Sequence, residues 1–297
     1  MISSLINKAK HLGFVAVGMS RPERPMFFDR FREWIANGKQ ADMHWLDRHP
    51  DLRESPEKLL KGCRTVISLA YPYSSTKPVT SDGFTIARYA EPEKADYHTR
   101  LKDQVRKLVK TLLALHPGCK TRICVDSAPI LERSFAYASG IGFIGKNNAL
   151  IVPGHGSYVF LAEILTSAEL FQSGIQSLEN QCGACNRCIS ACPTGALEAP
   201  YTLNAAKCLS YLTIEYGGEV KSSDGQNMGD CFFGCDVCQE VCPFNECISS
   251  RTVQLPSTDK ILAMEETDFQ IRFGETALSR SGLNKIKSNI RAVRSIH

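Results

Sequence analysis

An α/β (α+β) N-terminal domain followed by a bacterial ferredoxin-like two-cluster domain is the fold class this 297-residue sequence predicts. Three features point to it. Residues 1–165 alternate short apolar runs with segments of helical periodicity, the pattern of a layered sheet-and-helix domain. Next comes Cys182-Gly183-Ala184-Cys185-Asn186-Arg187-Cys188-Ile189-Ser190-Ala191-Cys192-Pro193, and later a shorter echo, Cys235-Asp236-Val237-Cys238-Gln239-Glu240-Val241-Cys242-Pro243. The first run has the spacing C-x2-C-x2-C-x3-C-P, in which three thiolates hold one [4Fe–4S] cluster and the fourth reaches a second. These features divide the chain into residues 1–168, 169–250 and a helical, basic segment 251–297.

The elements follow in order. Residues 2–11 read as a short helix stopped at Gly13, and Phe14–Gly18 as a buried strand. Phe27, Phe31, Trp34 and Ile35 recur at helical spacing within 26–37, with Gly38 as the stop. Residues 45–53 are polar and read as a loop, 56–61 as a helix and Thr65–Ala70 as a strand. The Pro-, Gly- and Ser-bearing stretch 71–88 reads as an exposed loop. A basic amphipathic helix is expected over 97–115, a strand over Thr121–Val125, a helix over Ile130–Ser139 and a strand over Ser157–Leu165. Beyond these, the cysteine-rich segment has room for short helices only.

Two clusters need eight thiolates, and the two runs supply seven. Spacing leaves the eighth open between Cys208 and Cys231. Structural zinc also accepts four cysteines, but commonly as two C-x2-4-C pairs set apart by a spacer. Here four cysteines crowd into 182–192 and each run ends in Cys-Pro. A disulfide framework suits short secreted chains, which this is not. Cys63, Cys119, Cys124, Cys247 and the unused member of the Cys208/Cys231 pair are left as structural thiols.

Hydrophobic content of 43% and charged content of 22% describe a soluble globular protein. The N-terminus has no continuous apolar stretch of signal-peptide type, and nothing approaches the ~18 apolar residues of a membrane span. Thirteen clustered cysteines fit a reducing cytoplasm. The net charge of +4 is unevenly placed. Arg280, Lys285, Lys287, Arg291 and Arg294 follow Glu275 with no acid among them, and Arg100, Lys102, Arg106, Lys107 and Lys110 face Asp103 alone. Both patches read either as solvated helix faces or as contact with a polyanion such as RNA.

Three N-terminal places invite chemistry. Asp126 ends a strand, where it is either a ligand-facing acid or the cap of the helix that follows. Gly140-Ile141-Gly142-Phe143-Ile144-Gly145 matches G-x-G-x-x-G but follows a helical segment, against a nucleotide fingerprint. Backbone packed closely against a large ligand accounts for it better, with Lys146 and Asn147 adding polar contacts. Asp96-Tyr97-His98 sets an acid, a phenol and an imidazole in sequence, with Asp96 as a helix cap the plainer reading.

In this order, Arg88-Tyr89, Asp96-Tyr97-His98, Val125-Asp126-Ser127-Ala128-Pro129 with Glu132-Arg133, the 140–147 glycine run, Cys182–Leu197, Cys208–Glu215 and Gly234–Gln239 resemble epoxyqueuosine reductase over nearly the whole chain. The resemblance implies cobalamin in the N-terminal domain beside two [4Fe–4S] clusters. It implies reduction of the epoxide of epoxyqueuosine in tRNA to the alkene of queuosine. It further implies that Cys182, Cys185, Cys188 and Cys242 hold one cluster, that Cys192, Cys208, Cys235 and Cys238 hold the other, and that Cys231 is spare. Asp126 takes the place of the catalytic acid. Arg53, Asp96, Tyr97, His98, Gly142, Gly145, Lys146, Asn147 and Ser210 fall in segments lining the cofactor and substrate site. The family suggests a monomer, served by an electron donor the sequence does not identify. Many members continue into a helical-repeat domain, so in a chain ending at His297 the two basic patches are expected to carry more of the RNA contact.

An epoxide becomes an alkene plus water by taking up two electrons and two protons. Clusters pass electrons singly, so a carrier must collect the pair, which a reduced cobalt corrin does. For Asp126 to give a proton at neutral pH, burial against an apolar corrin face would have to raise its pKa. Other readings are a corrinoid reductase of a small substrate, as in reductive dehalogenases, and a ferredoxin-type electron carrier. A carrier has no use for the Asp126 and glycine-rich constellation.

Overall fold

The structure, a computed structural model, describes residues 2–171, 174, 176–245 and 253–296, so that Cys247 lies outside the described residues. Contacts group the chain into two compact units. One contains Met1–Gly38, His44–Pro72 and His98–Cys185, and the other Lys39–Met43, Tyr73–Tyr97 and Asn186–His297.

The first unit is built on a four-stranded sheet in the order Ala16–Ser20, Thr65–Pro72, Val159–Thr166, Thr121–Cys124, every pair antiparallel. Strand–helix alternation along the chain thus yields an α+β layer without parallel crossovers. The rule that ligands sit at the carboxyl ends of parallel strands therefore does not explain the position of Asp126. Residues directly opposite on paired strands share a face. Gly18, Ser68, Glu163 and Cys124 form one such row across all four strands. The helix Glu132–Ala138 packs on that face. Gly18 has to be a glycine because a Cβ there would run into the Ser139 carbonyl and the Ile141 side chain. On the opposite face, Tyr71 and Phe160 pair and line a cavity of about 210 Å³ together with Arg100, Leu101, Gln104 and Lys107 of the helix Tyr97–Leu115. That helix buries Leu101, Val105, Leu108 and Leu112 at helical spacing.

The second unit centres on a four-stranded sheet in the order Cys231–Phe233, Thr85–Ile86, Val79–Thr80, Gln254–Leu255. Its core joins Ile86, Phe232, Phe233 and Leu255 with Phe269, Phe273, Ile286 and Ile290. The 251–297 segment is helical over Thr258–Ala263, Glu266–Phe273 and Gly282–Arg294. Helices in the cysteine-rich segment are short, such as Arg187–Ser190 and Val237–Glu240.

Local reading missed two places. Residues 45–53 are not a loop throughout: Pro50, pre-set for the first helical position, starts a helix to Glu54. The expected exposed loop 71–88 contributes two strands, with Thr80, Thr85 and Ile86 buried. Those strands exist because they pair with Cys231–Phe233 and Gln254–Leu255, far away in sequence. No described helix is long and apolar enough to cross a membrane.

Candidate functional site

Asp126 stands just past the Thr121–Cys124 strand with φ 54°, in the left-handed region that aspartate tolerates better than most residues. It does not cap the next helix, whose N-cap position is Leu131. The capping reading is thereby corrected. Instead, the Asp126 amide donates to Glu132 Oε1 at 2.6 Å, and Asp126 Oδ2 meets His98 Nε2 at 2.7 Å. The Asp126 side chain is 46% exposed and that of His98 17%. The protein's own atoms therefore orient this acid without burying it.

Arg53 comes to the same place. It is buried, donates to the Trp45 carbonyl at 3.3 Å and lies over the Phe31 ring. Burial lowers its pKa, opposed by the charge of Glu132. Glu132 belongs to the motif quoted above but had no assigned role, and Glu163 went unnoticed. The sequence did carry a signal for Glu163, a lone acid in the otherwise apolar strand Val159–Thr166. Its carboxyl is fully buried, with no hydrogen-bond partner among the described residues other than the Glu132 carboxyl. A carboxylate in such a place is costly and takes a proton instead. Burial, then the neighbouring Glu132, pushes Glu163 well above the usual carboxyl range. Half-buried Glu132 is raised to about 7, by burial first and by the Asp126 charge second.

Both groups have folded-state pKa values above their unfolded ones. Their contribution to stability is full below about pH 4.5 and is lost as pH rises through the folded values, for Glu132 about 7. Thermal melts between pH 5 and 8 should therefore fall more steeply for the wild type than for Glu163→Gln. Parallel slopes would contradict the raised carboxyls.

The glycine-rich turn packs against the chain itself. Phe143–Ile144 pairs with Leu150–Ile151 as a tight hairpin. A Cβ on Gly142 would stand 2.6 Å from the Ile151 carbonyl oxygen, and one on Gly145 2.7 Å from Ile151 Cδ1. Gly140 has φ +73° just after the helix. The chain's own packing crowds both positions, most firmly at Gly142, where the neighbour is backbone. Asn147 Oδ1 accepts from the Ala149 amide inside the turn. Lys146 Nζ donates to the carbonyls of Gly183 and Cys185 at 2.7 and 2.8 Å, placing a cation on the first cysteine loop.

In the second unit, five thiols draw together. Cys238 is pushed up by burial and then by the nearby thiols of Cys235, Cys208, Cys188 and Cys192. Cys208, raised by burial and by Cys192, receives the backbone amides of Tyr211 and Ser210. Ser210 thus faces a sulfur through its N–H. Burial opposes ionisation of Cys192, but the amides of Leu197, Thr194 and Ala196 and the Thr194 hydroxyl outweigh it and lower its pKa. Amides aimed at sulfur are what cluster thiolates use, since hydrogen bonds to the sulfurs tune the cluster. Cys182, Cys185 and Cys242 are partly exposed. Among the described residues no three such groups converge tightly enough for a single metal ion. A four-iron cluster is a larger body and holds its thiolates further apart. Cys231, by contrast, sits in a strand and donates its thiol proton to the carbonyls of Phe233 and Gly234.

Arg88 clamps the second cysteine run. Its amide and guanidinium reach Asp236 at 2.8 and 3.2 Å, and the guanidinium also bonds Glu240. Tyr89 stacks on Phe233 and meets Tyr97 edge-on, and Arg280 donates to the Tyr97 hydroxyl at 3.2 Å. The Asp96 amide donates to the Glu275 carbonyl at 2.7 Å. Most cations after Glu275 serve the unit's own fold. Lys285 and Lys287 bond the carbonyls of Gly218 and Met264, and Arg294 pairs with Asp259. Lys107, Lys110 and Arg291 are exposed. The basic surface is therefore smaller than composition suggested.

Residues 181–245 match a family model described as a 4Fe-4S double cluster binding domain, and residues 53–127 one described as Epoxyqueuosine reductase QueG, DUF1730. An epoxyqueuosine reductase from Xanthomonas campestris pv. campestris is 33% identical over 299 residues, covering 95% of this chain and 83% of the relative. A crystal structure of epoxyqueuosine reductase with an epoxyqueuosine-modified tRNA-Tyr stem loop superposes with a TM-score of 0.87 at 28% identity, covering 98% of this chain and 80% of that one. The Bacillus subtilis enzyme, solved with the loop of its catalytic aspartate swung out of the active site, gives 0.86 at 28% identity, with 98% and 80% covered.

Proposed function

This chain belongs to the epoxyqueuosine reductase family, and from that premise we propose that it reduces epoxyqueuosine to queuosine in tRNA. The observation that carries the reading is the Asp126–His98 pair, an acid oriented at 2.7 Å yet left half-exposed, in a chain whose residues 181–245 are a [4Fe–4S] double-cluster domain. The overall change is epoxide plus two electrons plus two protons to alkene plus water. In this scheme residues 1–168 handle the epoxide, 169–250 deliver electrons and 251–297 add contact with RNA. Cys182, Cys185, Cys188 and Cys242 hold one cluster, and Cys192, Cys208, Cys235 and Cys238 the other. The protein works as a monomer in the cytoplasm and draws electrons from a separate donor.

Cobalamin is the carrier proposed to collect the electron pair, because its reduced metal can act on carbon whereas clusters release electrons singly. The 210 Å³ cavity under the 97–115 helix is too small and too charged for a corrin ring, so the segments of Arg53, His98, Gly142, Gly145, Lys146 and Asn147 are the ones that would hold it. The chain's own contribution is at the oxygen. Asp126 donates a proton as charge develops there, and His98 fixes the carboxyl in place. Lys146, through the Gly183 and Cys185 carbonyls, holds the first cysteine loop.

A tRNA substrate makes binding depend on salt. With contacts at Lys107, Lys110 and Arg291 only, affinity for an epoxyqueuosine-bearing stem loop should drop roughly forty-fold between about 50 and 200 mM salt. Filter binding or fluorescence anisotropy across that range reads it. Salt-independent binding would favour a small neutral substrate instead.

A further inference from the structure

We propose that Glu163 and Glu132 form a buried proton store that refills Asp126 between the two proton transfers of one turnover. The inference rests on the reductase reading above, since only a reaction consuming two protons needs a second one close at hand.

Geometry carries it. Glu163 lies in the row Gly18, Ser68, Glu163, Cys124 on the sheet face covered by the helix Glu132–Ala138. It is completely buried, and among the described residues its carboxyl has no hydrogen-bond partner other than the Glu132 carboxyl. Glu132, at the start of the covering helix, faces it on one side. On the other side Glu132 accepts from the Asp126 backbone amide at 2.6 Å, and Asp126 holds His98 at 2.7 Å. Glu163, Glu132 and Asp126 thus stand in succession from the sheet to the exposed acid, the last link made by the Asp126 amide and by the charge of its carboxyl. A fold that wanted only packing at position 163 would use an apolar side chain, as at Leu161 and Leu165 on the same face.

The charges around the pair suit a store. Arg53, buried beside Glu132 and with its Nε lacking a hydrogen-bond partner among the described residues, offsets negative charge when the pair gives up its proton. Arg133 and His98 act in the same direction on Glu132, while Asp126 and Glu163 oppose them, and Cys124 faces Glu163 from the neighbouring strand. Glu132 is raised to about 7, near the value at which a group both takes and gives a proton in neutral solution.

The balance is as follows. Asp126 gives the first proton to the epoxide oxygen as the C–O bond opens, and becomes a carboxylate. The pair passes its proton to Asp126, which gives it to the departing oxygen as the second C–O bond breaks, releasing water. The two electrons come through the clusters, and after the product leaves two protons from solvent restore the pair and Asp126. Glu163 and Glu132 are positioning residues here, acting through Asp126.

Infrared spectroscopy tests the store without substrate. At pH 8.5, above the value of about 7 for Glu132, the wild type should show a carboxylic acid C=O band that shifts in D2O, persists in Asp126→Asn and is missing in Glu163→Gln. In single turnover, Glu163→Gln should match the wild type near pH 5.5, where protons from solvent are plentiful, and fall about tenfold behind it near pH 8. Glu132→Gln should show the same pH-dependent deficit, should Glu163→Gln fold poorly. Absence of the band, or a rate ratio constant with pH, overturns the store. If wild type makes no queuosine at all, the reductase reading has failed instead, and the infrared band still decides whether the buried proton exists.

Discussion

Asp126→Asn is expected to slow queuosine formation by about 10²–10⁴-fold while leaving both clusters in place. The amide keeps the size of the side chain and can still meet His98, so folding and electron delivery are spared. What disappears is the transferable proton at an atom oriented by two contacts, the Glu132–amide bond at 2.6 Å and the His98 contact at 2.7 Å. The left-handed φ of 54° is also tolerated by asparagine, which keeps the turn intact. Comparing turnover with iron content and the visible spectrum checks the claim. Full turnover in the variant would remove Asp126 from the chemistry.

The second large effect concerns the eighth thiolate. Cys208→Ser should lose one cluster, dropping iron from roughly eight to roughly four per chain, and should abolish turnover because the electron path is cut. Cys231→Ser should keep roughly eight irons and near-normal activity. Cys208 lies close enough to Cys192 and Cys238 to perturb them and accepts the amides of Ser210 and Tyr211. Cys231 uses its proton on the carbonyls of Phe233 and Gly234. Iron and sulfide analysis of anaerobically reconstituted protein separates the two. Loss of iron from Cys231→Ser with retention in Cys208→Ser would reverse the assignment.

Much of this was legible in the sequence where the signal is local. The helix at about 97–115 was legible because Leu101, Val105, Leu108 and Leu112 mark one face and no proline or glycine interrupts them. The cysteine runs declared iron–sulfur chemistry through spacing alone, and residues 181–245 match a double-cluster family. What depends on distant pairing was not legible. The antiparallel direction of the main sheet and the strands at 79–80 and 85–86 are set by partners far along the chain. That the Leu150–Ile151 strand crowds the glycines at 142 and 145 cannot be foreseen from a G-x-G-x-x-G match. Charge counting overstated the basic surface, since a sequence does not say that Lys285 and Lys287 will turn onto backbone carbonyls. Glu163 passed as one more polar residue in a strand, and only the row it shares with Ser68 and Cys124 under the 132–138 helix gives it meaning.

The central claim is the reaction itself. Reconstituted protein, supplied anaerobically with epoxyqueuosine-bearing tRNA, cobalamin and a strong reductant, should convert the modified nucleoside to queuosine, seen by mass spectrometry of the digested tRNA as loss of one oxygen. Conversion should require the clusters and should collapse in Asp126→Asn. Intact epoxyqueuosine after incubation with protein carrying both clusters and cobalamin would contradict the account.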